Sequence, residues 1–275
     1  MNTSEPPPAA ARRVALDDHQ TLVLDAGRGG EPFLVIHALG VDRDMARGLL
    51  PRLSAERRTI AYDVRLHGAA AADPASFRLE TCADDARTLL DRLGIQRAHV
   101  AGFSMGGAIA QHLALRHPER VASLSLLCTM ARAPRDVYLE RAATAERDGM
   151  EALVAPTLTR WFSAEALASD GWPVRYARRC IAEARVEYWA AAWRGLAEID
   201  TLDRLGSIAA PTHVIAGEHD RSTPPEQMRE IADGIPGSRF TVIAGAPHLA
   251  ALELPGAVAD ALLPIPITNT EGEDR

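Results

Sequence analysis

The chain has 275 residues, of which 47% are hydrophobic and 24% charged, and this supplies enough apolar sequence for the core of one large domain. Its formal net charge of −7 argues against nucleic acid or an anionic membrane surface as the main partner. The sequence contains no lysine. This excludes an internal Schiff base, a pyridoxal-phosphate anchor and a Walker-type phosphate lysine.

The three cysteines, Cys82, Cys128 and Cys180, are far apart and form no C-x-x-C pair. We therefore expect neither a disulfide framework nor a zinc site, which fits a reducing compartment. The first residues, "MNTSEPPPAAARR", lack the apolar centre of a signal peptide, and no apolar run is long enough to cross a bilayer. The expected location is the cytoplasm, and the sequence leaves a homo-oligomeric state open.

Residues 1–11 are rich in proline and alanine, and we expect them, like the polar residues 265–275, to be disordered. The next stretch, "RRVALDDHQTLVLDAG", predicts two short strands around a turn. The glycine-rich "GRGGEP" precedes a strand rather than a helix, so it indicates a turn and not a phosphate-binding loop.

From there on, unbroken apolar strands alternate with amphipathic helices. The predicted strands are "FLVIHAL", "RTIAYDV", "AHVAGF", "VASLSLLCT", "THVIAGEHD" and "RFTVIAGAPH". The predicted helices are "DMARGLLPRLSAE", "ETCADDARTLLDRLG", "MGGAIAQHLALRHP" and a final one near residues 252–263. This alternation predicts an α/β fold with a mainly parallel, eight-stranded sheet and helices on both faces.

Residues 134–200 interrupt this alternation, because they predict several helices with no strand between them. An insertion of that size between two strands is expected to form a helical cap over a binding site. The predicted organisation is a core formed by residues 12–133 and 201–264, with the cap formed by residues 134–200.

The stretch "AGFSMGG" places Ser104 between an apolar strand and an apolar helix, with Gly102, Gly106 and Gly107 around it. In a turn this tight, side chains two residues before and after the serine would clash with the backbone, so glycine is expected there. The turn pushes the Ser104 hydroxyl into the cleft at the carboxyl ends of the strands. It also places the Met105 N–H at a helix N-terminus, where negative charge is favoured. The G-x-S-x-G pattern predicts a nucleophile elbow, with a purely structural turn as the alternative.

A serine nucleophile needs a base and a group that orients the base. Asp220 and His248 follow two successive predicted strands, in the expected order of serine, acid and histidine. Taken singly, Asp220 is compatible with a loop carboxylate and His248 with an ordinary histidine before a helix. Together with Ser104 they predict a catalytic triad.

An oxyanion hole needs two backbone donors, for which we predict the N–H groups of Met105 and Leu39. Leu39 belongs to "HALG", the loop after the strand "FLVIH". His213, Glu218 and His219 lack the spacing of a metal site, so we predict neither a metal nor an organic cofactor. His67 is expected to be a structural loop residue.

The motifs "AGFSMGG", "HPERV", "AGEHD" and "APHL" resemble those of the α/β-hydrolase superfamily, over nearly the whole chain from Val14 to Leu263. Within it, the chain is similar to 3-oxoadipate enol-lactonases in "IHALGVDRDM", "AYDVRLHGA", "FSMGGAIAQHLALRHPERV", "GMEALVAPTLTRWF" and "APTHVIAGEHDRSTPP". Two positions depart from the superfamily pattern: Ala38 replaces a glycine of the oxyanion loop, and Leu66 replaces a glycine before His67.

The resemblance implies a serine hydrolase that cleaves a small ester or lactone through an acyl-enzyme. The segment "TRWF" resembles the lid of the lactonases, which implies Arg160 and Trp161, together with Arg132, as substrate-binding residues. Three alternatives stay open: a C–C bond hydrolase, a cofactor-free enzyme of the haloperoxidase or perhydrolase kind, and a non-catalytic ligand-binding protein on the same fold.

Overall fold

The computed structural model describes residues 5–6 and 9–263, and its centre is one eight-stranded sheet. The strands are β1 (Ala11–Ala15), β2 (Gln20–Ala26), β3 (Phe33–Ile36), β4 (Thr59–Tyr62), β5 (Ala98–Phe103), β6 (Val121–Leu127), β7 (Thr212–Gly217) and β8 (Arg239–Ile243). Their order across the sheet is β1-β2-β4-β3-β5-β6-β7-β8.

Strands β3 to β8 are parallel, whereas β2 is antiparallel to both of its neighbours. Every residue of β3, β4, β5, β6 and β7 is buried. Burial on both faces is the reason that these strands are apolar throughout, since helices cover the sheet on each side. The predicted α/β fold with a mainly parallel sheet is confirmed.

Ten α-helices occur in the described residues. They are α1 (Leu50–Glu56), α2 (Leu79–Arg92), α3 (Met105–Arg116), α4 (Arg135–Trp161), α5 (Ala164–Ser169), α6 (Trp172–Ala182), α7 (Val186–Leu196), α8 (Pro225–Gly234), α9 (Ala250–Glu253) and α10 (Pro255–Leu262). None of these helices is both long enough and apolar enough to cross a membrane.

The predicted boundaries differ from the observed ones mainly where proline or a 3₁₀ turn intervenes. The first predicted helix is divided into a 3₁₀ segment, Arg43–Gly48, and α1, which has a proline in its first turn. Pro255 separates α9 from α10 because it cannot donate the helical hydrogen bond. At the amino terminus, Ala11 already begins β1, while residues 265–275 lie outside the described part of the chain.

Residues 134–200, which we call the helical segment, contain α4 to α7 and no strand. Helix α4 is broken at Gly149, whose φ of 75° is not helical. The segment reaches the loop after β3, because a Cβ on Gly40 would lie 2.6 Å from the Trp189 ring. Backbone hydrogen bonds from Ala133 to Ile199 and from Thr201 to Ala131 close its base.

Candidate active site

Ser104 joins β5 to α3 in a strained conformation, with φ of 52° and ψ of −115°. A backbone of this kind costs about 1–3 kcal/mol and persists only where the surroundings hold it. The Ser104 N–H donates to the Leu127 carbonyl at 2.9 Å, and the Ser104 carbonyl accepts from Thr129 Oγ1 at 2.6 Å. These bonds to β6 and to the residues after it fix the elbow from both sides.

The glycines of the elbow are required by close backbone approach, as predicted. A Cβ on Gly102 would lie 2.2 Å from the Gly106 carbonyl oxygen, and one on Gly106 would lie 2.2 Å from the Ile36 carbonyl oxygen. On Gly107 it would lie 2.5 Å from the Thr129 side chain. Real Cβ contacts are never this short, so α3 can approach β3 and β6 only without these side chains.

Ser104, Asp220 and His248 form one hydrogen-bonded chain, although 144 residues separate the serine from the histidine. His248 Nε2 lies 3.0 Å from Ser104 Oγ, and His248 Nδ1 lies 2.8 Å from Asp220 Oδ2. All three residues are buried. Asp220 and His248 stand on the loops after β7 and β8, so the carboxyl ends of the parallel strands bring them to the elbow.

Asp220 is held as an anion by several donors. Its Oδ1 accepts from the N–H groups of Ser222 and Thr223 at 2.7 and 3.0 Å, and its Oδ2 also accepts from Thr223 Oγ1 at 2.7 Å. Burial favours the neutral acid, but His248 and Thr223 outweigh it and hold the pKa of Asp220 below its ordinary value. The carboxylate therefore keeps a proton on His248 Nδ1 and leaves Nε2 free to accept one from Ser104.

The loop after β3 is positioned by the two ring nitrogens of His37. Nε2 lies 2.9 Å from the Val64 backbone nitrogen and accepts its N–H, so the ring proton must be on Nδ1, which donates to the Ala38 carbonyl at 2.8 Å. Burial lowers the pKa of His37 to about 4, which keeps the ring neutral at pH 7.

Carbonyl and N–H point in opposite directions in a trans peptide, so the bond to Ala38 turns the Leu39 N–H away from His37. Leu39 lines the same small cavity as Ser104. Within residues 5–6 and 9–263, neither the Leu39 N–H nor the Met105 N–H has a hydrogen-bond acceptor. Both donors are available for an oxyanion.

The residues beside Ser104 enclose a cavity of about 20 Å³, which we call the nucleophile cavity. It is lined by Leu39, Ser104, Met130, Tyr138, Arg141, Trp161, Trp193, Leu196, Ser222 and His248. Half of these residues belong to the helical segment. That segment therefore forms part of the wall beside the serine, and it supplies residues that sequence reasoning missed, above all Arg141 and Trp193. No local pattern distinguishes Arg141 from the other arginines of the charged helix α4.

The three residues predicted to bind substrate lie in different places. Trp161 lines the nucleophile cavity, and Arg160 lines a larger neighbouring cavity. The assignment of Arg132 needs correction. Arg132 lies at the base of the helical segment, where its half-exposed side chain pairs with Asp200 at 3.0 Å and with Asp203 at 3.2 Å. It follows β6 in sequence, but these two carboxylates hold it away from Ser104.

The other polar clusters have structural partners. His67 packs edge-on against His37 at a ring distance of 5.2 Å, and His213 Nε2 lies 2.9 Å from Thr241 Oγ1. Ligand atoms of Asp18, His19 and Asp85 lie within 4.8 Å of one another, which is close enough for a metal. The Arg65 guanidinium already binds both carboxylates, at 3.2 Å and 2.6 Å. The positive charge of Arg65 therefore already stabilises the two carboxylates of that cluster.

The sequence matches the model of one protein family over most of its length. Residues 31–255 match the model of the alpha/beta hydrolase fold. The chain belongs to the alpha/beta hydrolase fold family. It is 31% identical to 3-oxoadipate enol-lactonase 1 of Acinetobacter baylyi over 220 residues, which cover 80% of this chain and 82% of the relative.

Two solved structures of this family resemble the chain over nearly its whole length. The enol-lactonase of Burkholderia xenovorans is 30% identical with a TM-score of 0.86, and the match covers 91% of this chain and 98% of that one. A thermophilic esterase of Thermogutta terrifontis, with malate bound, is 31% identical with a TM-score of 0.85, covering 92% and 97%. These relatives support a hydrolase.

Proposed function

We propose that this protein is a serine hydrolase that cleaves a small carboxylic ester or lactone, with an enol-lactone as the favoured substrate. One observation carries the proposal: the Ser104–His248–Asp220 chain, with distances of 3.0 and 2.8 Å, lies beside two unused backbone N–H groups. Relatives that are named lactonases and an esterase support the choice of bond.

In the proposed reaction, His248 Nε2 accepts the hydroxyl proton as Ser104 Oγ attacks the carbonyl carbon. The N–H groups of Leu39 and Met105 donate to the resulting oxyanion, and loss of one such donor costs on the order of 3 kcal/mol in related enzymes. His248 then protonates the leaving oxygen. In a lactone, that oxygen stays tethered to the acyl group.

Water completes the cycle. His248, again unprotonated at Nε2, takes a proton from a water molecule as that water attacks the acyl-enzyme. It returns the proton to Ser104 Oγ as the acyl–serine bond breaks, and Asp220 orients the imidazole in both steps. The products are the acid and, for an ester, the free alcohol. The enclosed position of Ser104 under the helical segment excludes bulk water, which strengthens each of these electrostatic interactions.

Labelling of the serine, its substitution and a panel of substrates test the proposal. A fluorophosphonate probe is expected to label Ser104, and Ser104→Ala should lower kcat about a millionfold, as in comparable triads. A panel of p-nitrophenyl acetate, an enol-lactone and a β-diketone, with a parallel perhydrolysis assay, distinguishes ester or lactone cleavage from the alternative reactions. An unlabelled Ser104, or near-normal turnover by Ser104→Ala, would refute the assignment of the nucleophile.

A further inference from the structure

Arg141 and Trp193 separate the nucleophile cavity from a second cavity of about 530 Å³ that they also line, which we call the outer cavity. The nucleophile cavity, at about 20 Å³, has room for about one water molecule and for no ester or lactone. The outer cavity has the size of an ordinary small-molecule site. A ligand that enters the outer cavity can therefore reach Ser104 only if the side chains between the two cavities move.

Arg141 is held in this partition by aromatic rings. Its guanidinium carbon lies 4.6 Å from the centre of the Trp193 ring and 5.2 Å from that of Tyr138. No aspartate or glutamate of the described residues forms an ion pair with it. A cation–π contact orients a guanidinium but leaves its charge unneutralised, and arginine stays protonated in proteins.

A second guanidinium, that of Arg160, lines the outer cavity. Its Nη atoms donate to groups of its own helix, the Pro156 carbonyl at 3.1 Å and Thr157 Oγ1 at 3.2 Å. Its Nε is buried without a hydrogen-bond partner in the part of the chain that the structure describes. Arg141 and Arg160 line the same cavity. Burial, and then repulsion by Arg141, lower the pKa of Arg160 to about 10.

Other arginines of helix α4 are neutralised. Arg147 pairs with Asp148 at 2.9 Å and with Glu140 at 3.4 Å on the exposed face. Glu140 also lines the outer cavity, but its exposed carboxylate is engaged by Arg147 and makes no ion pair with Arg141. Asp136 lines the outer cavity as well, and it forms no ion pair with Arg141 or Arg160. The two guanidiniums thus have no ion-pair partner among the described residues.

We propose that Arg141 selects substrates that carry a carboxylate, and that this carboxylate draws the guanidinium off the Trp193 ring and so joins the outer cavity to Ser104. A carboxylate matches the planar fork of arginine and can accept two hydrogen bonds from it. Arg160 contributes a second positive charge on the same wall. The selection of a substrate rests on the proposed hydrolase function, whereas binding of the anion does not.

Binding in the absence of turnover tests the inference. We expect the Ser104→Ala variant to bind monomethyl glutarate at least tenfold more tightly than dimethyl glutarate by calorimetry, since a hydrogen bond to a charged group is worth roughly a 10- to 100-fold difference in affinity. Adding Arg141→Gln should abolish this preference. Adding Arg135→Gln, which removes the same charge from the exposed start of α4, where Arg135 pairs with Glu198 at 2.9 Å outside the outer cavity, should leave it intact.

Catalysis gives the second readout. Two substrates are compared: mono-p-nitrophenyl glutarate, which has a free carboxylate, and p-nitrophenyl methyl glutarate, in which that carboxylate is methylated. Arg141→Gln should lower the ratio of kcat/KM for the first to kcat/KM for the second about 10- to 100-fold, and Arg141→Lys should restore part of this ratio. Equal binding of the acid and the diester by Ser104→Ala, including no binding of either, overturns the inference. So does a preference that survives Arg141→Gln. If a fluorophosphonate labels Ser104 in the unmodified protein but Ser104→Ala shows no preference for the acid, the role of Arg141 is refuted and the proposed hydrolase function is not. If Ser104→Ala prefers the acid but Ser104 is not labelled, the role of Arg141 is supported and only the proposed hydrolase function is refuted.

Discussion

The two hydrogen bonds of His37 can be removed one at a time, which tests how the oxyanion loop is positioned. In asparagine, the side-chain amide nitrogen is separated from Cβ by the same number of bonds as Nδ1 of His37. In glutamine, the side-chain amide oxygen is separated from Cβ by the same number of bonds as Nε2 of His37. His37→Asn can therefore retain the bond to the Ala38 carbonyl, and His37→Gln can retain the bond from the Val64 N–H.

The two variants should fail in different ways. His37→Gln frees the Ala38–Leu39 peptide to rotate, and full loss of the Leu39 donor would lower kcat about 10²- to 10³-fold. His37→Asn leaves the buried Val64 N–H without its acceptor, which should cost about 1–3 kcal/mol of the free energy of unfolding. We expect its kcat to fall less than tenfold, because the Leu39 N–H keeps its direction.

Steady-state hydrolysis of p-nitrophenyl acetate gives kcat, and urea unfolding at pH 7 gives the free energy of unfolding for each variant. Labelling of Ser104 by a fluorophosphonate checks that the elbow is intact. If His37→Gln keeps full kcat, or if the two variants lose kcat equally, the link from His37 through Ala38 to the Leu39 N–H is wrong.

Three further predictions concern stability and the triad. Burial holds the pKa values of His37 and His67 at about 4 and about 3, so on acidification the unfolded chain takes up protons first. Urea unfolding should show full stability above pH 6.5 and a decline from there to about pH 3, where the folded state binds the same protons. A flat profile between pH 7 and 5 would contradict two neutral, buried rings. Gly106→Ala should lower the free energy of unfolding by more than about 3 kcal/mol or prevent folding, because the added Cβ would clash with the Ile36 carbonyl oxygen. Gly256→Ala, on α10 where nothing lies within 4 Å of the added Cβ, should leave the free energy of unfolding unchanged or raise it by up to about 1 kcal/mol in the same urea unfolding experiment. Equal effects of the two changes would refute the packing argument. Asp220→Asn should lower kcat on the order of 10⁴-fold in the p-nitrophenyl acetate assay through the wrong His248 tautomer, and a loss below tenfold would remove Asp220 from the triad.

Local sequence determined the sheet, its helices and the elbow. Unbroken apolar strands such as β3 and β5 follow from burial on both faces, and the glycines around Ser104 follow from backbone contacts that any elbow of this kind makes. The order of Ser104, Asp220 and His248 at successive strand ends follows from the parallel arrangement, which collects those ends at one edge. Each of these features depends on neighbouring residues in the chain or on the regular alternation of strands and helices, and both can be recognised in the sequence.

Only the tertiary structure decided what surrounds the serine. Three arginines of similar local sequence have different surroundings. Arg132 forms ion pairs at the base of the helical segment, Arg147 forms them on its exposed face, and Arg141 lies over the Trp193 ring beside Ser104. Arg132 precedes α4 and meets two aspartates at the base of the helical segment, whereas the environments of Arg141 and Arg147 depend on which face of α4 packs against α7. Such contacts join residues far apart in the chain, and a charged side chain carries no local mark of the partner that it will meet.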